Sequence, residues 1–243
     1  MQRYFIAPDQ WMDEQVVITG DDVHHIVKVM RSEVGDQILV SDGAGRVASV
    51  RLTQIDPKEV RAQVVELLDE HREMPIQVTI GQGLPKADKL EWILQKGTEM
   101  GAYAFQTFSS ERTVVKLDEK KEGKKLERWQ KIVKEAAEQS HRAILPEVLS
   151  PTSFKSILEQ GKSYSARIIA YEKEAAVGVK EVLSTLSPGD SLLVLIGPEG
   201  GFSVEEVAQA EAAGFVSVHL GPRILRTETA SQYVLAAVSY HFE

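Results

Sequence analysis

The chain has 243 residues, 28 Lys and Arg against 36 Asp and Glu, a net charge of −8, and no cysteine. That length suffices for one large domain or two small ones with a real core. The missing thiols exclude disulfides, cysteine-based zinc sites and thiol nucleophiles, and the acidic balance removes nucleic-acid binding as the default reading. No apolar run reaches the length of a membrane span, and the opening MQRYFIAPDQW lacks the layout of a secretory signal. A cytoplasmic protein fits these features.

Along the first 70 residues the pattern predicts short strands. QILVSD (37–42), RVASVRLTQI (46–55) and VRAQVVELL (60–68) read as strands, with DGAG as a hairpin turn between the first two. In DDVHHIVKVMR (21–31), Val23, Ile26, Val27 and Met30 share one helical face behind an acidic cap. One helix among several strands predicts a small barrel. The polar, proline-ended DEHREMP (69–75) marks a boundary, giving domains 1–72 and 73–243.

The second domain alternates strands and helices. IQVTIGQGL, AFQTF (104–108), ARIIAY (166–171), SLLVLI (191–196) and FVSVHL (215–220) are strands. KADKLEWILQKGTEMG, KKLERWQKIVKEAAEQS (124–140) and TETASQYVLAAVSYHF (227–242) are helices. Alternation of this kind predicts an α/β domain with a mostly parallel sheet covered on both faces.

Ligands of open parallel sheets bind beyond the carboxyl ends of the strands. The ends that stand out are Tyr171-Glu172, LIGPEGGFSVEE (195–206) and LGPRILRTETA (220–230). In the second, Gly197 turns the chain, Gly200 and Gly201 permit positive φ or close approach, and Ser203 with Glu206 forms a capping box. The loop matches neither phosphate-binding glycine fingerprint. It has no P-loop lysine, Pro198 lacks an N–H, and Glu199 opposes phosphate, so a neutral or cationic ligand fits better. In the third, Thr227 or Thr229 is a helix cap, and Thr229 with Gln232 a further box. Ile224 and Leu225, between Arg223 and Arg226, either take a purine face or plug the core. From Arg112 to Lys134, nine basic residues stand against four acidic ones. This is either a phosphate-binding patch or a solvated helix face with internal ion pairs. His24 and His25, adjacent on a helix, point too far apart to chelate a metal.

IGPEGGFS followed by LGPRILRTETA resembles the paired C-terminal motifs of the SPOUT class of RNA methyltransferases. The chain as a whole is similar to the 16S rRNA (uracil-1498-N3)-methyltransferases, the RsmE family. MQRYFI, HHIVKVMR, KLEWILQKGTEMG, ERTVVK and RWQKIVKEAAEQSHR carry the likeness upstream, so it covers nearly the whole chain. Met100-Gly101-Ala102 stands where the family usually has Leu-Gly-Val.

The resemblance implies a SPOUT-type parallel sheet with a C-terminal trefoil knot and an N-terminal PUA-like, RNA-binding β-barrel. It implies S-adenosyl-L-methionine as cofactor, a homodimer, 16S rRNA in the 30S subunit as partner, and no metal or membrane. The cofactor-binding set would be Tyr171, Glu172, Ile196, Gly197, Gly200, Gly201, Leu220, Gly221, Ile224, Leu225, Arg226, Thr229 and Ala230. Chemistry at uracil N3 would use Arg226 as a positive charge for the uracilate and Glu199 or Glu228 as proton acceptor; Glu228 alternatively serves only the helix N-terminus. Expected RNA contacts are Arg3, His25, Lys28, Arg31, Arg112, Lys116, Lys120, Lys121, Lys124, Lys125 and Arg142. Trp92 and Trp129 belong to the core or a dimer interface. Two other readings stand beside this one: a non-catalytic rRNA-binding or ribosome assembly factor retaining the fold, and a nucleotide-binding enzyme with a Rossmann-like sheet.

Overall fold

The computed structural model describes all residues except His71, Ala87, 115–118, 172–176 and Glu243, and of 119–121 it describes only the backbone. It divides into two compact units. The first is Met1–Glu73 with Ala137–Leu145, and the second is Met74–Ala136 with Pro146–Glu243.

The first unit is built from β1 (Arg3–Phe5), β2 (Trp11–Met12), β3 (Gln15–Thr19), α1 (Asp21–His24), β4 (Gln37–Ser41), β5 (Val47–Ile55) and β6 (Glu59–Leu68). The hydrogen-bonded strand order is β1-β4-β5-β6-β3-β2, so β1 and β2 stand at the two ends of a six-stranded sheet. Alternating residues such as Val16, Ile18, Val50, Leu52, Val60 and Ala62 point into one core with Tyr4, Val23 and Ile26. The sequence pattern misses β1 to β3, because strands of two to five residues carry too little alternation to register. The predicted helix is shorter than its apolar stripe. After His24 the chain widens into a π-helical turn over His25–Val29, with Met30 N–H bonded to His25 C=O at 2.9 Å. Met30, expected on the apolar face, ends that turn exposed.

The expected boundary at 72/73 lies one residue from the division after Glu73, but Ala137–Leu145 returns to the first unit. Buried ion pairs account for this. The Arg3 guanidinium, fully buried at 0 % exposure, donates to the carbonyls of His141 (2.9 Å) and Arg142 (2.7 Å) and to Glu70 (2.6 Å). Glu73 accepts from the amides of Ala143 (2.9 Å) and Ile144 (3.1 Å) and from the Arg142 guanidinium. Arg142 itself is 4 % exposed. Arg3 and Arg142, expected at an RNA surface, are instead buried, Arg3 spent on Glu70 and two carbonyls and Arg142 on Glu73.

The second unit holds β7 (Gln77–Gly83), α2 (Lys89–Glu99), β8 (Ala104–Ser109), α3 (Glu119–Gln139), β9 (Glu147–Ser153), α4 (Phe154–Gln160), β10 (Ala166–Ala170), β11 (Val177–Gly178), α5 (Val179–Leu183), β12 (Ser191–Ile196), α6 (Val204–Ala212), β13 (Val216–His219) and α7 (Thr227–Phe242). Its sheet is parallel throughout, in the order β11-β13-β10-β12-β7-β8-β9. Central β12 reads SLLVLI and buries Leu192 to Ile196 on both faces, the near-continuous apolar run such a strand needs. β9 was not legible in the sequence. It contains Pro151, and a strand with an internal proline is tolerated only at an edge, where β9 lies.

At the carboxyl end of the sheet, β7 and the loop after β12 touch. A Cβ on Gly83 would come within 2.6 Å of Pro198 Cδ and 2.8 Å of Pro198 N, so only glycine permits this approach. Beside it, Thr227 donates to Gly197 C=O at 2.6 Å and accepts from Gln82 Nε2 at 2.8 Å, all three buried.

Replacing Arg3 with Met leaves the carbonyls of His141 and Arg142 without this partner and Glu70 with only the exposed Arg72, 3.5 Å away. The expected loss is about 3 kcal/mol in urea unfolding; unchanged stability would show that the link carries no weight.

Candidate functional site

One cavity of about 440 Å³ opens at the strand ends of the second unit. Three segments form it: Ala170 and Tyr171 after β10, Ile196 to Gly201 after β12, and Leu220 to Thr227 with Ala230 between β13 and α7. These are the three strand ends singled out from the sequence. Tyr171, Ile196, Gly197, Gly200, Gly201, Leu220, Gly221, Ile224, Leu225, Arg226 and Ala230 line one space, joined by Glu199. Glu172 lies outside the described residues. Thr229 does not line the cavity: it sits exposed in the first turn of α7. The capping box expected of Thr229 and Gln232 is not made. Thr229 lies inside the first turn of α7 with its amide bonded to Arg226 C=O at 2.9 Å, and Thr227 spends its hydroxyl on Gly197.

The loop after β12 is held from both sides. Gly201 takes φ 65°, which closes the turn at no Cβ cost. Ser203 accepts from the Glu206 amide at 3.2 Å while Glu206 accepts from the Ser203 amide at 3.0 Å, completing the predicted capping box at the start of α6. Glu206 Oε1 also accepts from the Glu111 amide at 2.8 Å. Phe202 is buried against Phe108, stacked at 6.1 Å between centroids, and against Phe154. Arg112, read from the sequence as a phosphate contact, lays its stem on Gly200 and donates to Gly200 C=O at 2.8 Å.

Sequence reading missed Lys89. It opens the KLEWILQKGTEMG stretch, where it reads as one more helix charge, yet it lines the cavity with its ammonium 3.2 Å from Glu199 and 3.3 Å from Glu228. Both are ion pairs, and Glu228 Oε2 is buried without a hydrogen bond beyond its approach to Lys89. Burial pushes the Glu199 carboxyl up. Its own amide, the Lys86 amide at 3.0 Å and Lys89 outweigh that and hold it below the ordinary glutamate value. Lys89 is raised, first by Glu199, against a smaller cost of burial.

The cavity falls within the roughly 300–1,000 Å³ of small-molecule sites. Ile224 stands at its wall 80 % exposed, so it plugs no core and presents apolar surface to whatever fills the space. Glycine backbone, an uncovered aliphatic side chain and carboxylates suit a ligand that joins a flat ring to a cation, which is how S-adenosylmethionine is built. Among the described residues no cluster of His, Asp and Glu could hold a metal.

Of the remaining expected RNA contacts, Lys28 and Arg31 are exposed at the π-helical turn, and Arg31 has φ 55°. His25 Nδ1 lies 2.9 Å from the Tyr4 hydroxyl, half-buried. Lys124 is exposed and Lys125 half-buried on α3, where Arg128 pairs with Glu91 at 2.8 Å. Lys116 and the side chains of Lys120 and Lys121 lie outside the described residues. Trp129 is buried, whereas Trp92 is 43 % exposed.

A family model described as an RNA methyltransferase domain matches residues 72–239, and one described as an RNA methyltransferase PUA domain matches residues 18–65. The ribosomal RNA small subunit methyltransferase E of Bacillus subtilis is 47% identical, covering 100% of this chain and 98% of that protein. Its Synechocystis counterpart is 36% identical over 98% of this chain and 77% of its own length. The crystal structure of the Neisseria gonorrhoeae enzyme, bound to S-adenosyl methionine, has a TM-score of 0.88 at 31% identity, covering 100% of this chain and 98% of that one. The parallel sheet, its strand-end cavity and the two matched models thus fall in the class of RNA methyltransferases that carry a PUA domain. Within that class the chain belongs to the ribosomal RNA small subunit methyltransferase E family.

Glu199, being held low, contributes stability that is present above its ordinary value of 4.5 and lost as pH falls through the lower folded value. The melting temperature of Glu199→Gln should therefore lie below that of the native chain at neutral pH and converge with it in acid. A gap that persists undiminished at low pH would contradict the assignment.

Proposed function

We propose that this protein uses S-adenosyl-L-methionine to methylate N3 of one uridine of 16S rRNA in the small ribosomal subunit, the position conventionally numbered 1498. The observation that carries this reading is the strand-end cavity, where glycine backbone and the uncovered Ile224 lie beside Glu199, Glu228 and Arg226. Family membership and the S-adenosyl methionine bound to the Neisseria gonorrhoeae relative support it. Tyr171, Ile196, Gly197, Gly200, Gly201, Leu220, Gly221, Ile224, Leu225 and Ala230 would hold the cofactor.

When bound, the cofactor supplies a methyl group on a cationic sulfur, activated for direct displacement. The protein then has two tasks. The N3 proton must leave so that the nitrogen lone pair can form the new bond, and the charge gathering on the uracil carbonyls must be balanced. Either carboxylate can accept the proton: Glu199 lines the cavity but spends a lone pair on the Lys86 amide, and Glu228, outside the lining, has Lys89 3.3 Å from its Oε2. Arg226 lines the same cavity and supplies the balancing charge. No cysteine is needed, since the nitrogen is itself the nucleophile.

The reading extends to a deep trefoil knot around the cofactor, a cytoplasmic location and a homodimer. Trp92 on α2 and Tyr240 on α7, the latter 90 % exposed, lie on helices that pack together and offer apolar surface for a second copy. The PUA-like unit, with Lys28 and Arg31, and α3, with Lys124 and Lys125, would grip phosphates.

Calorimetric titration should give one S-adenosylmethionine site per chain and none for ATP or NAD; a chain binding no S-adenosylmethionine would be a bare rRNA-binding or assembly factor. Arg226→Ala should lower turnover about 100-fold with cofactor affinity little changed, and undiminished turnover would remove Arg226 from the chemistry. Reversing Lys124 and Lys125 to Glu should flatten the dependence of log rRNA affinity on log salt by roughly 0.7–0.9 per lost contact. An unchanged slope would take α3 out of the interface.

A further inference from the structure

Lys89 is in the wrong place for the helix it opens. A cation at the first position of α2 meets the positive end of the helix dipole, an unfavourable arrangement. Fixing its long side chain also sacrifices rotamer freedom. Something outside the helix must compensate, and two carboxylates do. Glu199 arrives from the loop after β12 and Glu228 from the first turn of α7, elements brought together only by the fold. Three residues before Lys89, the Lys86 amide reaches the same Glu199 oxygen at 3.0 Å. Lys86 and Lys89 thus meet the cavity wall at Glu199, although nothing in the sequence marked this stretch as part of a ligand site.

We propose that Lys89 is a positioning residue of the methyl-transfer site, whose ammonium bridges Glu199 and Glu228 and fixes both carboxylates at the cofactor cavity. This rests on the cofactor reading given above. Without the bridge, two like charges on facing loops repel, and the lower-energy answer at mildly acidic pH is for one of them to take a proton. That proton would remove either the acceptor for uracil N3 or the negative charge that faces a cationic ligand. With the bridge, the three groups together carry one net negative charge, the complement of one sulfonium. The other charged groups at this cavity are Arg226 and Arg223 from the segment before α7, and Arg112, which sits on Gly200 from the loop after β8. All three are guanidinium groups, which add a constant positive field and cannot supply the switch.

The test compares the native chain with Lys89→Met and Lys89→Arg. Carboxyl carbons are followed by NMR through an acid titration, and the dissociation constant for S-adenosylmethionine is measured at about pH 8 and about pH 5.5. In Lys89→Met one glutamate carboxyl should titrate at least one pH unit higher than in the native chain. Its cofactor affinity should fall about tenfold between the two pH values, the equivalent of that unit. The native chain and Lys89→Arg should stay within about twofold over the same range. A Lys89→Met chain whose carboxyls titrate as in the native one overturns the proposal, as does a shifted carboxyl with pH-independent affinity. If the native chain binds no S-adenosylmethionine at either pH, the cofactor reading fails and takes the proposed role with it. That result is distinguishable, because the NMR arm reads the bridge without any ligand.

Discussion

The buried contact of Thr227 with Gly197 and Gln82 decides where everything else at the site can be. Thr227 is the first residue of α7, Gly197 the first after β12, and Gln82 lies near the end of β7. The hydroxyl gives its proton to Gly197 C=O at 2.6 Å and accepts from Gln82 Nε2 at 2.8 Å. Three elements far apart in sequence are thereby fixed to one another by groups that would each be costly to leave unpaired in the interior. Gln82 Oε1 has no partner, so the glutamine is held for its donor side and bears a penalty on the other. The bare Gly83 lets Pro198 sit against β7, and the aromatic trio of Phe108, Phe154 and Phe202 closes the far side of the same loop.

Given that frame, the electrostatics of the cavity follow. Glu199 and Glu228 are carried by the two segments that the contact joins, and Lys89 enters from a third. A loop bearing a proline and a glutamate is a poor phosphate cradle on chemical grounds alone, since one N–H is missing and the field has the wrong sign. The lysine that the cavity does hold is committed to carboxylates. The loop after β12 therefore argues against a phosphate cradled on its glycine backbone, while Arg223 and Arg226 bring positive charge to the same cavity.

Much of this was legible in the sequence, for identifiable reasons. Strands such as SLLVLI are unbroken apolar runs, and the final helix runs from Thr227 to Phe242 as read, although its first threonine is not a cap. The glycine loops declare themselves because glycine and proline restrict the backbone locally. What stayed hidden depends on partners distant in sequence. Arg3 and Arg142 looked like surface cations and are buried because Glu70 and Glu73 come to meet them. Lys89 looked like one more charge on an amphipathic helix. Thr227 looked like a cap and is a cross-link. β9 was obscured by Pro151, which is acceptable only because that strand lies at the sheet edge. Local rules find local structure; a charged side chain's role depends on what the fold sets beside it.

The most direct test of the central claim is primer extension across the decoding-region uridine of 16S rRNA, taken from cells with and without this protein. Methylation at N3 removes the hydrogen-bonding edge of uracil and arrests the polymerase. The account predicts a stop one nucleotide before that uridine in cells that have the protein, lost on its deletion and restored by the native chain. A stop that persists in its absence would contradict the account.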